Sequence, residues 1–179
     1  AYDAPRETDE DASWLERMAT AVLSGGMSGR LFTEVREKRS LCYSVWASYG
    51  AEREYGRTVA YAGTTPERAQ ETLDVTMNEL RRIGKGEGKV TEEELERARV
   101  GMKSRLVFSG ESSGARATAL AHDFRKLGRA RGLDEMASRI DRVELGELNE
   151  YLSGRELGSV TVATIGPKAD PLTTPEVIK

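Results

Sequence analysis

Cysteine and histidine are almost missing from this sequence, which has one residue of each among 179, Cys42 and His122. A single cysteine excludes a disulfide within the chain. A tetrahedral zinc site takes three or four ligands from histidine, cysteine and carboxylates. With one histidine and one cysteine available, we expect no zinc site and no bound cofactor in this chain alone.

An excess of charge of one sign is also lacking, as are long apolar runs. The chain has 27 lysines and arginines against 30 aspartates and glutamates, giving a formal net charge of −3, whereas nucleic-acid-binding domains usually have a basic excess. No apolar run approaches the roughly 20 residues of a membrane span, and the first residues do not resemble a signal peptide. We expect a soluble protein without a nucleic-acid or membrane partner; the cytoplasm is favoured, although the sequence specifies no compartment.

The residues that are present suffice for one folded domain, because 38% of the chain is hydrophobic and a chain of this length buries roughly 70% of its unfolded surface. Hydrophobic periodicity and turn residues predict the order of the elements. They are a strand remnant at 1–4, helices at 9–24 and 30–38, strands at 41–49 and 57–62 forming a hairpin, five helices between 65 and 152, and a last strand at 159–165. Helices and strands in separate runs indicate an α+β fold, an antiparallel-rich sheet with helices packed on one face.

The strand predicted at 41–49 has strict alternation of residue types. Successive side chains of a strand point to opposite faces of the sheet. The alternation therefore places Tyr43 on the same face as Val45 and Ala47, and it places Cys42 on the other face with Trp46.

One pair of residues at the junction of helix and strand could take part in chemistry. Arg36 lies late in the helix predicted at 30–38, and Tyr43 lies early in the following strand. A helix-to-strand corner can direct both side chains into one cleft, where a guanidinium and a phenol could donate hydrogen bonds to a carbonyl or an oxyanion. The alternative is that the charged run at 36–39 is an ordinary solvated helix end.

A long stretch of the sequence resembles a known family. Residues 23–45 read Leu-Ser-Gly-Gly-Met-Ser-Gly-Arg-Leu-Phe-Thr-Glu-Val-Arg-Glu-Lys-Arg-Ser-Leu-Cys-Tyr-Ser-Val, and shorter matches follow in order at 61–64, 91–98 and 165–167. Together they resemble the C-terminal, non-zinc domain of the pitrilysin/insulinase family of zinc peptidases, most closely its processing-peptidase-like bacterial branch. The resemblance covers roughly residues 3–167.

The resemblance implies a fold, an activity and a pair of site residues. Members of the family fold as paired α/β domains that enclose a substrate chamber, and their N-terminal half carries the inverted zinc motif H-x-x-E-H, in which zinc activates water and the glutamate is the general base. By resemblance, Arg36 and Tyr43 are the pair that the C-terminal half contributes near the scissile bond, at the family's seven-residue spacing. The implied partners are a peptide substrate and a zinc-bearing N-terminal half, in the same polypeptide or in a partner subunit.

The departures from the family pattern also carry expectations. No H-x-x-E-H occurs here, so the chain is expected to bind no zinc and to have no hydrolytic activity alone. The family's Gly-Leu-Ala before the tyrosine is Ser40-Leu41-Cys42 in this sequence. Only residues 1–4 correspond to the family's first strand, which suggests a fragment of a longer protein, with a domain at 1–167 and a loose tail at 168–179. A shortened first strand would leave a neighbouring edge unpaired, so self-association is expected to be possible.

Two rival interpretations remain open at this point. The same fold could serve as a non-catalytic scaffold or assembly module, as it does in some members of the family. The chain could also be an unrelated α+β domain that binds a small molecule. The topology of the fold tests the second rival, and an intact H-x-x-E-H upstream would argue against the first.

Overall fold

The computed structural model describes residues 1–167 and 172–173. It has three strands, six α-helices, one π-helix and two short 3₁₀ turns in the described residues. In chain order these are β1 (Tyr2–Ala4), α1 (Glu10–Ser24), the π-helix (Phe32–Glu37), β2 (Cys42–Ala51), β3 (Gly56–Thr64), a 3₁₀ turn (Pro66–Arg68), α2 (Ala69–Arg82), a second 3₁₀ turn (Gly86–Gly88), α3 (Glu92–Glu111), α4 (Ser113–Leu127), α5 (Leu133–Asp141) and α6 (Leu145–Gly154).

The strands form one antiparallel sheet in the order β1-β3-β2. The β2–β3 hairpin runs from the pair Ala51 and Gly56 to the pair Cys42 and Thr64. α1 lies against β2 and α2 against β3, and the core between helices and sheet includes the fully buried Met18 and Leu31. In the described residues the other face of the sheet is open, and Trp46 and Tyr61 are exposed on it. The predicted α+β fold, with an antiparallel sheet and helices on one face, is confirmed.

The predicted capping box at the start of α3 is present. The Thr91 hydroxyl accepts from the Glu94 N–H at 3.3 Å, and the Glu94 carboxylate accepts from the Thr91 N–H at 3.0 Å. The same carboxylate binds Arg30, whose Nη1 donates to the carbonyl of Gly88 at 2.7 Å. One glutamate therefore both caps α3 and ties it to the residues that precede the π-helix.

α3 extends beyond its predicted end at Phe108, because Gly110 does not break it. A glycine inside a helix costs only about 1 kcal/mol relative to alanine. Here it also has a packing role, since a Cβ at Gly110 would lie 2.8 Å from Cδ1 of Leu133 at the start of α5. The helix ends at Ser112, which leaves helical geometry and caps α4 by accepting from the Ala115 N–H.

A buried ionic cluster joins α1, β1, β3 and the end of α6. Glu16 is fully buried and pairs with Arg155, whose Nη1 lies 3.0 Å from Oε2 of Glu16. Its carboxylate also accepts hydrogen bonds from the hydroxyls of Tyr2, Tyr151 and Thr58 at 2.8 to 3.0 Å. Burial, and then the charge of Glu16, raise the pKa of Tyr2 and of Tyr151 above the usual range, so both phenols remain donors.

The prediction of a strand at 159–165 is wrong, because the described residues form no strand there. The segment does lie beside β1, and one reciprocal pair of hydrogen bonds joins Ala1 and Thr161 at 2.8 and 2.9 Å. A ladder requires consecutive pairs of this kind, and the described residues make only this one between the two segments.

Both edges of the sheet leave backbone groups without a strand partner in the described residues. β1 pairs only with residues 56–58 of β3, so 59–64 have no partner on that side, and β2 has none on its outer side. Self-association through such an edge stays a prediction. The loose tail predicted at 168–179 lies outside the described residues except for 172–173, where Thr173 exchanges two hydrogen bonds of 2.7 Å with Gln70 of α2.

No helix in residues 1–167 combines the length and the apolar character needed to cross a bilayer.

Candidate functional site

The corner between the π-helix and β2 has an unusually wide last helical turn. The Lys38 N–H donates to the carbonyl of Thr33, five residues back, and the Leu41 N–H donates to that of Val35, six residues back. Val35 and Leu41 are both buried and attach the corner to the core. The predicted helix at 30–38 is therefore present, with π-helical geometry of a kind often found at functional sites.

This corner brings Arg36 and Tyr43 together. The guanidinium carbon of Arg36 lies 5.5 Å from the ring centroid of Tyr43 and 4.9 Å from that of Phe32. Distances under 6 Å are typical of cation–π contacts. The two rings hold the guanidinium, and Phe32, one helical turn before Arg36, is a member of the site that the sequence interpretation missed. The sequence did contain a signal for this contact, because Phe32 and Arg36 are four residues apart and such a spacing places two side chains on one helix face.

Tyr43 does not share a face with Val45 and Ala47, contrary to the alternation predicted for residues 41–49. Cys42 pairs with Thr64 and Ser44 pairs with Gly63, so Tyr43 is an extra residue in a β-bulge. The bulge places Cys42 on the buried face and leaves the Tyr43 side chain 85% exposed. β-Bulges commonly redirect a side chain in this way, and here the bulge presents the phenol to solvent beside Arg36.

Ser40 gives the corner its sharp change of direction at the cost of strain. Its φ is 52°, and it is the one non-glycine residue with a positive φ in the described chain. This left-handed conformation costs an L-residue roughly 1–2 kcal/mol. The serine therefore stands at a position where glycine would be unstrained.

We expect Ser40→Gly to raise the free energy of unfolding by about 1 kcal/mol, because relief of the left-handed strain exceeds the extra entropy of glycine in the unfolded chain. The matched control is Gly128→Ser. Gly128 follows α4 with a φ of 73°, and a Cβ added there would meet nothing within 4 Å, so this change should destabilise by a similar amount through backbone strain alone. Urea denaturation measures both. A destabilised Ser40→Gly variant would show that the hydroxyl makes a compensating interaction.

Cys42 is a packed thiol next to the site. Burial raises its pKa, and the nearby positive charge of Arg36 only partly opposes this effect. A thiol with a raised pKa carries little thiolate at neutral pH and is a poor nucleophile. The chemistry available at this corner is therefore hydrogen-bond donation by a phenol and a guanidinium.

The described residues do not fit a zinc ion. No group of three or more histidine, cysteine, aspartate or glutamate side chains in residues 1–167 and 172–173 is arranged to hold a metal. Zinc binding needs such a set at close range.

Comparison with known proteins shows the family to which the chain belongs. Residues 1–102 match the family described as the peptidase M16 inactive domain. The chain belongs to this family. The predicted resemblance to the non-zinc domain of a zinc peptidase is confirmed. The unrelated small-molecule-binding domain considered above is thereby excluded.

The curated relatives of this M16 domain are longer proteins. An uncharacterized zinc protease of Mycobacterium tuberculosis is 31% identical over 173 residues, which cover 93% of this chain and 38% of the relative. Another, from Bacillus subtilis, is 34% identical over 152 residues, covering 83% and 36%. The chain thus spans little more than a third of the length of these relatives.

Solved structures share the fold of the M16 domain. The inactive peptidase domain from Bordetella parapertussis superposes with a TM-score of 0.73 at 20% identity, covering 85% of this chain and 81% of that one. A chain of complex III from Candida albicans also has a TM-score of 0.73, at 18% identity, covering 85% and 38%. At these identities the likeness shows the fold alone.

Proposed function

We propose that this M16 domain is the C-terminal half of a zinc metalloendopeptidase, in which it helps to bind extended peptide and positions the scissile carbonyl. The observation that carries the proposal is the Arg36–Tyr43 pair. Both side chains are exposed, and among the described residues Arg36 contacts two aromatic rings and no carboxylate. Such a cation with a phenol beside it is free to bind a group from outside the domain.

The two side chains suit a carbonyl oxygen on which negative charge develops. The Tyr43 hydroxyl can donate one hydrogen bond to that oxygen, and the Arg36 guanidinium supplies a fixed positive charge beside it. Donors that are already in position cost no reorganisation during the reaction, which is why they favour the transition state. The π-helix and the bulge hold the two groups at this position before substrate arrives. The zinc of the other half would supply the activated water.

The proposal is tested by the dependence of activity on both halves. The full-length, zinc-loaded protein should hydrolyse unstructured peptides, whereas its N-terminal half alone should be inactive until this domain is added. Hydrolysis of a fluorogenic peptide, measured for each half and for the mixture, checks this expectation. An N-terminal half that is fully active alone would show that this domain contributes nothing to catalysis.

The rival function is an assembly module without catalysis. The occurrence of the same fold in a chain of complex III is the observation that favours it, although that likeness concerns the fold alone. A scaffold predicts no peptide hydrolysis by the full-length protein and no role for the Tyr43 hydroxyl. The two functions therefore give opposite results in the same assay.

A further inference from the structure

A second group of aromatic side chains lies on the open face of the sheet. Trp46 of β2 and Tyr61 of β3 are directly paired across the two strands. Their rings stack with centroids 5.4 Å apart and planes inclined by 21°. The two side chains are 41% and 49% exposed. Tyr and Trp combine a large apolar surface with a polar group and are enriched at interfaces, so exposed rings of this kind are suited to binding.

Gly63 leaves the space that the Tyr61 ring of this stack occupies. A Cβ on Gly63 would lie 3.1 Å from the Tyr61 hydroxyl oxygen and 3.6 Å from its Cζ, so the Tyr61 ring lies over Gly63. Gly63 pairs with Ser44, the residue that follows Tyr43. The phenol of Tyr61 therefore extends along β3 toward the end of the hairpin that contains the bulge at Tyr43.

We infer that Trp46 and Tyr61 form the surface that selects a substrate side chain two or three residues from the scissile bond, an inference that rests on the function proposed above. The side chain they take is aromatic or large and aliphatic. Tyr43 and Trp46 are three residues apart on β2, about 10 Å at the rise of a strand, and an extended peptide has the same rise. The occupant is the peptide because the stack lies on the two strands that meet at the bulge, where Tyr43 is exposed.

The neighbours of the stack leave its edges open to such a side chain. On the open face, the next pair toward the bulge is Ser44 with Gly63, and the pair on the other side is Ser48 with Val59, so three of these four neighbours are small. Small residues beside exposed rings leave room for an apolar group to contact the ring edges. The scissile carbonyl of the same peptide would then lie at the Arg36–Tyr43 pair.

The test is selectivity in the full-length, zinc-loaded protein. Fluorogenic peptides with one scissile bond carry Phe, Leu, Ser or Gly at the positions two and three residues to either side of it, and kcat/KM is measured for each. At one of these positions the unmodified protein should prefer Phe or Leu over Gly by about tenfold or more. Trp46→Ala should reduce that ratio to within about twofold, since the apolar surface that produces it is removed.

A second variant and a control make the test independent of folding. Gly63→Ala displaces the Tyr61 ring by only a few tenths of an ångström without removing it, so it should reduce the ratio by a smaller factor than Trp46→Ala. Tyr55→Ala removes another exposed tyrosine, in the turn of the hairpin, and should leave the ratio as it is. Equal kcat/KM across the peptides, or a ratio unchanged in both Trp46→Ala and Gly63→Ala, would overturn the inference. Cleavage of the glycine peptides would still support the proposed function, whereas no cleavage of any peptide would remove both.

Discussion

Replacing Tyr43 by Phe in the full-length, zinc-loaded protein should lower kcat for peptide hydrolysis by about 10²–10³-fold, the usual cost of losing one oxyanion donor. The change removes a single hydroxyl and keeps the ring that lies beside Arg36. That hydroxyl makes no hydrogen bond to the described residues and the side chain is 85% exposed. The melting temperature should therefore stay the same, which separates a role in the reaction from a role in stability.

The control for this change is Tyr55→Phe, at an exposed tyrosine of the hairpin turn, which should have no effect on kcat. Arg36→Lys should also lower kcat, because lysine keeps the charge but not the planar group that lies over Phe32 and Tyr43. Its control is Arg53→Lys, at an exposed arginine of the same turn. If Tyr43→Phe stays within about threefold of the unmodified enzyme, less than ~1 kcal/mol, the phenol is not a donor in the reaction.

Replacing Arg155 should lower the free energy of unfolding more than any other substitution proposed for this domain. Arg155→Met removes the cation that faces the fully buried carboxylate of Glu16, and a buried charge left without its partner costs about 3–5 kcal/mol. The variant also loses the donor to the carbonyl of Leu80. In a chain of this size the melting temperature should fall by about 10 °C. Urea denaturation and calorimetry measure the two quantities.

Two further variants test whether an unpaired buried charge causes the loss of stability in Arg155→Met. Glu16→Gln combined with Arg155→Met removes the charge but keeps an acceptor for Tyr2 and Tyr151, so it should recover part of the stability lost in Arg155→Met. Lys103→Met breaks the solvent-exposed pair with Asp141 and should cost less than about 1 kcal/mol. Equal losses in Arg155→Met and Lys103→Met would show that burial of the Glu16 pair has no special cost.

The sequence predicted the elements whose signals are local and periodic. The apolar spacing of α1, the proline that opens the helical segment before α2 and the capping box of α3 each act within one or two turns. The predicted strand at 159–165 depended instead on a distant partner. It failed because a ladder forms only where consecutive backbone groups of a second strand are in place.

At the candidate site, too, the sequence predicted some features and not others. The seven-residue spacing and the resemblance identified Arg36 and Tyr43, and the structure places them side by side. The direction of Tyr43 was predicted wrongly, because alternation assumes one partner for each residue and one extra residue reverses the faces beyond it. The contribution of Phe32 was missed, since the apolar spacing of a helix does not show which ring a cation will contact.

Because of the β-bulge, the reactivity of Cys42 can be used to measure local opening of the corner. Because Tyr43 turns outward, Cys42 turns inward, and the only thiol of the chain is buried directly beside the candidate donor. Because Cys42 is only 8% exposed, an alkylating reagent should reach this sulfur mainly when the corner opens. The rate of alkylation under native conditions therefore measures the free energy of local opening at this one place, separately from global unfolding. A corner that holds its donors in position before substrate arrives should alkylate slowly, and substitutions that loosen it should be detected as faster labelling long before the fold is lost.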